Sequence, residues 1–373
     1  MRKTLFFTND FGPRAGGIET FVHGLIERFP NGSVIVYTSQ QGDTSSYDAT
    51  WFEKFGVQVF RDRSRMLLPT PRVIWRVRKL IKERKPEVII FGAAAPLALA
   101  GKFLKAKQKI AITHGHEVWW AKVPPFNLAI RLIGNSVDHL TYLGPYTKDA
   151  ISKALSKGAK AAMVQIAPGI DTEKFKPVDA SALRESLGLS EKEVIVSVGR
   201  LVPRKGQDKL IKALPQILKA RPNAHLLFVG SGSYQRALNN LIEERGLSRH
   251  VTFTGRVNYD ELAKYICVGD IFAMPSRSRF AGLEVEGLGI VYLEASACGL
   301  PVLAGNSGGA PDAVLPGQTG LVVNGLDVNE IAAGAIELLS GDRSEMGRAG
   351  REWALKNWDW QIWSKKFLNL VGN

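Results

Sequence analysis

The chain has 373 residues, 45% hydrophobic and 23% charged, an ordinary globular composition with length enough for two domains. Two cysteines, Cys267 and Cys298, exclude a disulfide-built secreted scaffold and favour a reducing compartment. The longest mostly apolar run without charge, residues 88–101, is too short to span a bilayer, and the first ten residues do not form a signal peptide. A cytoplasmic protein without a transmembrane anchor is expected. The net charge of +14 is unevenly spread: residues 1–168 hold 25 Lys and Arg against 12 Asp and Glu, a net of +13. Such a field draws nucleic acid, an anionic membrane surface or an anionic substrate.

Strand-like apolar runs fall at 4–8, 33–38, 57–60, 88–92, 110–114, 139–143 and 162–166, then at 194–199, 225–230, 251–254, 271–275, 301–304 and 320–323. Most are continuously apolar, as parallel strands buried on both faces are. Amphipathic stretches lie between them at 18–29, 72–85, 208–220, 235–245 and 329–339. Strand and helix alternate in two series, which predicts two doubly wound α/β domains, 1–168 and 169–356. Residues 357–373, with Trp358, Trp360, Trp363 and Phe367, read as a helix that packs on either domain. In sheets of this kind ligands sit beyond the carboxyl ends of the strands, so a cleft between domains is the expected active site.

Five motifs could carry chemistry. Gly16-Gly17-Ile18-Glu19-Thr20 follows the first strand and opens a helix, where bare N–H groups suit a phosphate, though a tight turn explains it equally. It is not a G-x-G-x-x-G fingerprint, which weighs against a dinucleotide dehydrogenase. Thr113-His114-Gly115-His116-Glu117 follows a strand of the first half. Its spacing is not that of helical zinc ligands, so a cleft-lining, hydrogen-bonding histidine is favoured over a metal. No D-x-D occurs, which disfavours a carboxylate-held Mg²⁺. Residues 72–85 carry seven cations and one anion, with Val73, Ile74, Trp75, Val77, Leu80 and Ile81 at helical spacing. This basic amphipathic helix is either a solvated face or a contact for an anionic membrane.

Arg200 ends the first strand of the second half and Lys205 follows before a helix. Two cations there could hold a diphosphate and stabilise it as a leaving group. Glu286-Gly287-Leu288-Gly289-Ile290-Val291-Tyr292-Leu293-Glu294 sets two carboxylates around a glycine-rich helix start. Its backbone N–H groups suit phosphate or sugar, and its two glutamates suit two polyols.

Taken in order, the Gly-Gly turn, the Arg-x(4)-Lys pair, the E-x(7)-E element and Gly308-Gly309-Ala310-Pro311-Asp312 resemble the retaining GT-B glycosyltransferases of glycosyltransferase family four, over nearly the whole chain. Residues 91–99, 113–118, 197–208 and 284–294 resemble most closely the actinobacterial members that move mannose from GDP-mannose to the inositol of an anionic phospholipid. The resemblance implies a GT-B fold, an α-1,6 linkage, no metal, and peripheral contact with the inner face of the plasma membrane. It implies that Gly16 and Gly17 approach the donor diphosphate and that Arg200 and Lys205 bind it. It gives mannose hydroxyls to Glu286 and the ribose diol to Glu294. Gly287, Gly289, Ile290 and Val291 present backbone to the sugar and phosphate, and Val257 meets the base. The sugar-contacting histidine is His114, with His116 in reserve. The C-terminal helix, in this family, returns to the first domain. Front-face attack, with the leaving phosphate taking the acceptor's proton, is the mechanism implied. A UDP-sugar donor or a soluble acceptor is the alternative within the fold. A nucleic-acid-binding protein would explain the charge but not the ordered motifs, and interleaved exposed aromatics are lacking.

Overall fold

The structure is a computed structural model and describes residues 1–13 and 16–372. The chain forms two compact units. One holds Met1–Gly169 and the segment that begins at Trp360; the other is Ile170–Asp359.

The first unit contains seven parallel strands: β1 (Thr4–Phe7), β2 (Val34–Ser39), β3 (Gln58–Asp62), β4 (Val88–Phe91), β5 (Gln108–Ala111), β6 (His139–Tyr142) and β7 (Met163–Gln165). Their order is β3-β2-β1-β4-β5-β6-β7, so the chain reverses direction across the sheet between β1 and β4. The second unit has β8 (Glu193–Val198), β9 (Ala224–Val229), β10 (Val251–Gly255), β11 (Ile271–Met274), β12 (Val302–Gly305) and β13 (Gly320–Val323). Their order is β10-β9-β8-β11-β12-β13, again parallel, with the reversal between β8 and β11. A reversal leaves the two flanking loops splayed apart at the carboxyl edge, which is where such sheets accept ligands.

All thirteen predicted strands are present. Their central residues are fully buried, as with Leu5, Phe6 and Ile90 in one sheet and Val196, Phe228 and Phe272 in the other. The largest displacement is in β5, expected over 110–114 but ending at Ala111, so that His114 stands in the loop beyond it. The core of the second unit is closed by the helices Gln207–Ala220 and Val328–Ser340, whose Leu210, Leu214, Ile331 and Leu338 join Phe228 of β9.

The predicted terminal helix over 357–373 is interrupted. A helix Arg343–Trp358 stops at extended Asp359, and a second begins at Trp360. Asp359 is pinned by Thr172 Oγ1 at 2.5 Å, and Ile170 N–H donates to the Trp358 carbonyl at 2.7 Å. From Trp360 onward the chain packs within the first unit. The Trp360 ring lies over the place where a Cβ on Gly24 would stand and beside Phe21, and Phe367 meets Phe29 edge-on at 6.1 Å.

The basic segment forms the helix Pro71–Arg84, capped by Thr70 Oγ1 on the Val73 N–H at 3.4 Å. Val73, Val77 and Leu80 face inward, whereas Trp75 is 62% exposed. Several of its cations are bonded to other groups of the first unit. Arg72 and Arg76 converge on buried Asp62 at 2.7 and 3.2 Å, where Tyr37 Oη also donates at 2.6 Å. Arg78 Nε donates to the Phe103 carbonyl at 2.8 Å.

Candidate functional site

At the carboxyl edge of the first sheet, the helix Gly17–Ile26 starts directly after Gly16. A side chain added at Gly17 would meet no heavy atom within 4 Å, so this helix start is open. Gly16 differs: a Cβ there would stand 2.2 Å from Glu19 Oε2, so the glycine faces the helix's own first-turn acid.

His114 belongs to the same edge. Its Nε2 lies 2.5 Å from the carbonyl of Gly92, the residue after β4, and Phe21 of the first helix meets its ring edge-on at 5.7 Å. A carbonyl acceptor puts the proton on Nε2 and leaves Nδ1 as a lone-pair acceptor. Burial lowers the ring's pKa to about 4, with Glu117 opposing, so the imidazole is neutral near pH 7. Buried Glu117 fixes the turn by accepting the His114 N–H at 2.9 Å. His116 stacks nearly parallel to His114 at 6.2 Å, with its Nε2 3.3 Å from Glu117 Oε1. Among the described residues, no group of three His, Cys, Asp or Glu side chains could hold a metal ion.

The second unit gathers a denser cluster at its own reversal. Lys205, in the turn Pro203–Lys205 beyond β8, is 8% exposed and places Nζ 2.9 Å from Glu286 Oε2. Arg204 Nη1 reaches the same oxygen at 3.1 Å. Burial pushes the Glu286 carboxyl up, but Lys205 and Arg204 together outweigh it and hold it below the usual range. Burial draws the Lys205 ammonium down, with Glu286 opposing. Arg200 is exposed at the end of β8, and its charge acts on both members of the pair.

The backbone around Glu286 is held on two sides. Its N–H donates to Ser307 Oγ at 3.2 Å and its carbonyl accepts the Gly309 N–H at 2.8 Å. Gly309 is required by this approach, since a Cβ would fall 2.1 Å from the Gly287 carbonyl oxygen. Gly289 caps the helix Ile290–Ala297 at φ 77°, a left-handed conformation natural to glycine, with the Tyr292 ring 2.4 Å from a Cβ position. Fully buried Tyr292 anchors that first turn, its Oη donating to the Met274 carbonyl at 2.7 Å. The N–H groups of Ile290 and Val291 open the helix and have no intrahelical partner.

Glu294 lies one turn further and is 6% exposed. No hydrogen bond or ion pair reaches its carboxylate among the described residues, and burial raises its pKa to about 7, with Lys174 and Lys205 opposing. Val257 stands apart, two residues past the edge strand β10.

The structure thus brings Arg200, Lys205, Glu286, Gly287, Gly289, Ile290, Val291 and Glu294 to one edge of the second sheet, and Gly16, Gly17, His114 and His116 to one edge of the first. Arg204 was not singled out by the motifs, although it touches Glu286 directly. Its adjacency to Lys205, facing the alternate acids Glu284 and Glu286, was the available signal.

Known proteins match the sequence along most of the chain. The family described as Glycosyltransferase Family 4 matches residues 15–174, and Glycosyl transferases group 1 matches residues 179–353. The GDP-mannose-dependent alpha-(1-6)-phosphatidylinositol monomannoside mannosyltransferase of Mycolicibacterium smegmatis is 44% identical over 98% of this chain and 97% of its own. The GDP-mannose-dependent monoacylated alpha-(1-6)-phosphatidylinositol monomannoside mannosyltransferase of Corynebacterium glutamicum is 43% identical over 99% and 98%. Among solved structures, HepE of Anabaena in complex with UDP superposes with a TM-score of 0.82, at 20% identity, over 99% of each chain. The two sheets with their paired reversals, and similarity that runs through both units, make this chain a glycosyltransferase of family four with the GT-B fold.

Proposed function

We propose that the chain moves mannose from GDP-mannose to a phosphatidylinositol mannoside-type lipid, through an α-1,6 linkage, with retention and without a metal. The observation that carries this reading is the buried cluster of Lys205, Arg204 and Glu286 beside the bare helix start at Ile290. Arg200 and Lys205 bind the donor diphosphate, and the N–H groups of Ile290 and Val291 add partial positive charge. Glu286 takes mannose hydroxyls, Glu294 the ribose diol, and Val257 the base. In the first unit, Gly16 and Gly17 approach the phosphate and His114 the sugar, since its fixed, neutral ring offers a defined acceptor at Nδ1.

In the proposed step the bond between mannose C1 and the β-phosphate oxygen breaks. The bond from C1 to the acceptor oxygen forms on the same face. The acceptor's hydroxyl proton passes to the departing phosphate. Charge on that phosphate grows during the step, so fixed cations lower the barrier selectively. Purified protein given labelled GDP-mannose and phosphatidylinositol monomannoside should form an α-mannosyl product at the same rate with and without a chelator. A preference for a UDP-sugar, a β-linked product or loss of activity with chelator would each defeat its part of the reading.

We also propose that the first unit rests on an anionic membrane on the cytoplasmic side. No helix among the described residues is long and apolar enough to cross one. Arg63, Arg65, Met66, Leu68 and Trp75 are all exposed in or just before the basic helix, which mixes cations with apolar side chains as an interfacial surface does. Because Arg72, Arg76 and Arg78 are bonded to other groups of the first unit, the informative variant replaces Arg63, Arg65, Lys79 and Lys82 with glutamine and Trp75 with serine. At roughly 1 kcal/mol for each cation near the lipid, vesicle binding should fall at least about a hundredfold. Transfer to a deacylated, soluble acceptor should persist. Equal loss on both would remove the membrane contact.

A further inference from the structure

Between β11 and the glycine-rich run, residues 279–284 form a tight loop whose conformation the donor site does not require. Arg279 N–H donates to the Glu284 carbonyl at 2.9 Å, Glu284 N–H donates back at 3.2 Å, and their side chains pair at 2.9 Å. Between them the backbone turns left-handed at three successive residues: Phe280 at φ 49°, Ala281 at 52° and Gly282 at 80°. Two of the three carry a side chain, where the conformation is strained. The fold gives Phe280 little in return. It is 66% exposed, with the Arg279 guanidinium 4.6 Å from its ring, and Leu283 is exposed beside it. Glycine at 280 and 281 would build the same turn without strain.

The tip is tied to the site. Arg204 lies 3.8 Å from Glu284 and 3.1 Å from Glu286, and its Nη1 also donates to the Val285 carbonyl at 3.4 Å. The Arg277 N–H donates to the Arg204 carbonyl at 2.8 Å, and its guanidinium pairs with Asp208 at 2.7 Å. An aromatic ring is thus held in water, at the cost of strain, on a loop braced against the carboxylate assigned to mannose.

We propose that Phe280 is a specificity-determining contact for the acceptor. Its free face packs on the C–H face of the polyol ring that receives the new sugar. The donor's diphosphate and diols call for cations and carboxylates, which the cluster supplies. A pyranose or inositol ring presents C–H groups that an aromatic face matches. The bracing to Glu286 puts the ring near the reacting hydroxyl and away from distant acyl chains. This inference rests on the mannosyl-transfer reading above.

The test is Phe280→Gly. Glycine adopts φ 49° freely and removes an exposed side chain, so the melting temperature should equal or exceed that of the wild type. The acceptor KM should rise about tenfold, both for phosphatidylinositol monomannoside and for its deacylated glycan. GDP affinity by calorimetry and acceptor-independent hydrolysis of GDP-mannose should not change. Phe280→Trp should keep a near-wild-type KM and Phe280→Leu should not. An unchanged acceptor KM, a defect confined to the acylated acceptor, or an equal loss of GDP affinity would overturn the inference. A wild-type chain that transfers mannose to neither acceptor would remove the underlying reading and this inference with it. Transfer by the wild type, equalled by the glycine variant, would remove the inference alone.

Discussion

Replacing Lys205 with alanine is expected to lower turnover by at least about a hundredfold, the usual loss when one group aimed at developing charge is removed. Lys205 is the buried cation of the site, and its ammonium sits 2.9 Å from Glu286. A diphosphate placed there gains its charge as the sugar departs, and no mobile water can substitute for a fixed ammonium in so enclosed a position. The substitution does not leave Glu286 alone, because Arg204 still meets the same oxygen at 3.1 Å. The variant should therefore melt cooperatively, a few degrees below the wild type, with unchanged far-UV circular dichroism. Lys205→Met keeps the apolar stem and should lose as much turnover as alanine. Single-turnover kinetics with saturating donor separates lost chemistry from lost binding. Near-wild-type turnover in either variant would refute the assignment.

Glu294→Gln should produce opposite effects on stability and binding. The Glu294 carboxyl is raised from 4.5 to about 7 by burial. Below pH 4.5 it is protonated in the folded and unfolded chains alike, and contributes no difference. Between 4.5 and about 7 the unfolded chain releases the proton while the folded chain keeps it, so this group's contribution to stability falls as pH rises and levels off above about 7. At 1.36 kcal/mol per unit, the penalty at pH 8 approaches about 3 kcal/mol. Glutamine removes it. The variant should be more stable than the wild type at pH 8 and about equal at pH 4, with the difference growing between 4.5 and about 7, as thermal melts across pH would record. GDP binding should meanwhile weaken about tenfold to a hundredfold, because a carboxylate accepting two ribose hydroxyls loses its charge. Calorimetry with GDP reads that directly. A stability difference between variant and wild type that does not grow between pH 4.5 and 7 would refute the buried-acid account, whatever GDP does.

The sheets were legible because parallel strands buried on both faces leave continuous apolar runs, as at Val194, Ile195 and Val196. Edges were read less well. Ile112 and Thr113 are as buried as β5 itself, so composition alone could not show that the ladder stops at Ala111. The break at Asp359 was hidden for a similar reason: it depends on Thr172, far away in sequence, and helical periodicity runs straight through it. Arg204 and Asp62 show the same limit in the polar network. Arg204 acquires its partners 80 residues on, and Asp62 draws two arginines out of what reads as a uniformly basic helix face. Local patterns announced Lys205, Glu286 and Glu294 as residues of interest. Only the assembled sheet showed that the first two face each other and that the third stands unpaired.

The placement of Trp360 onward has a consequence for how the molecule is made. The second unit is one unbroken stretch, Ile170–Asp359, and all its strands are synthesised before Trp360. The first unit is split, with Phe367 and Val371, both fully buried, supplied from beyond the whole of the second unit. The amino-terminal sheet must therefore wait, its Phe29 side uncovered, until the second unit and the segment from Trp360 have been synthesised. A fragment ending at Gly169 would carry that bare apolar face permanently, and should aggregate unless the terminal helix is supplied in trans.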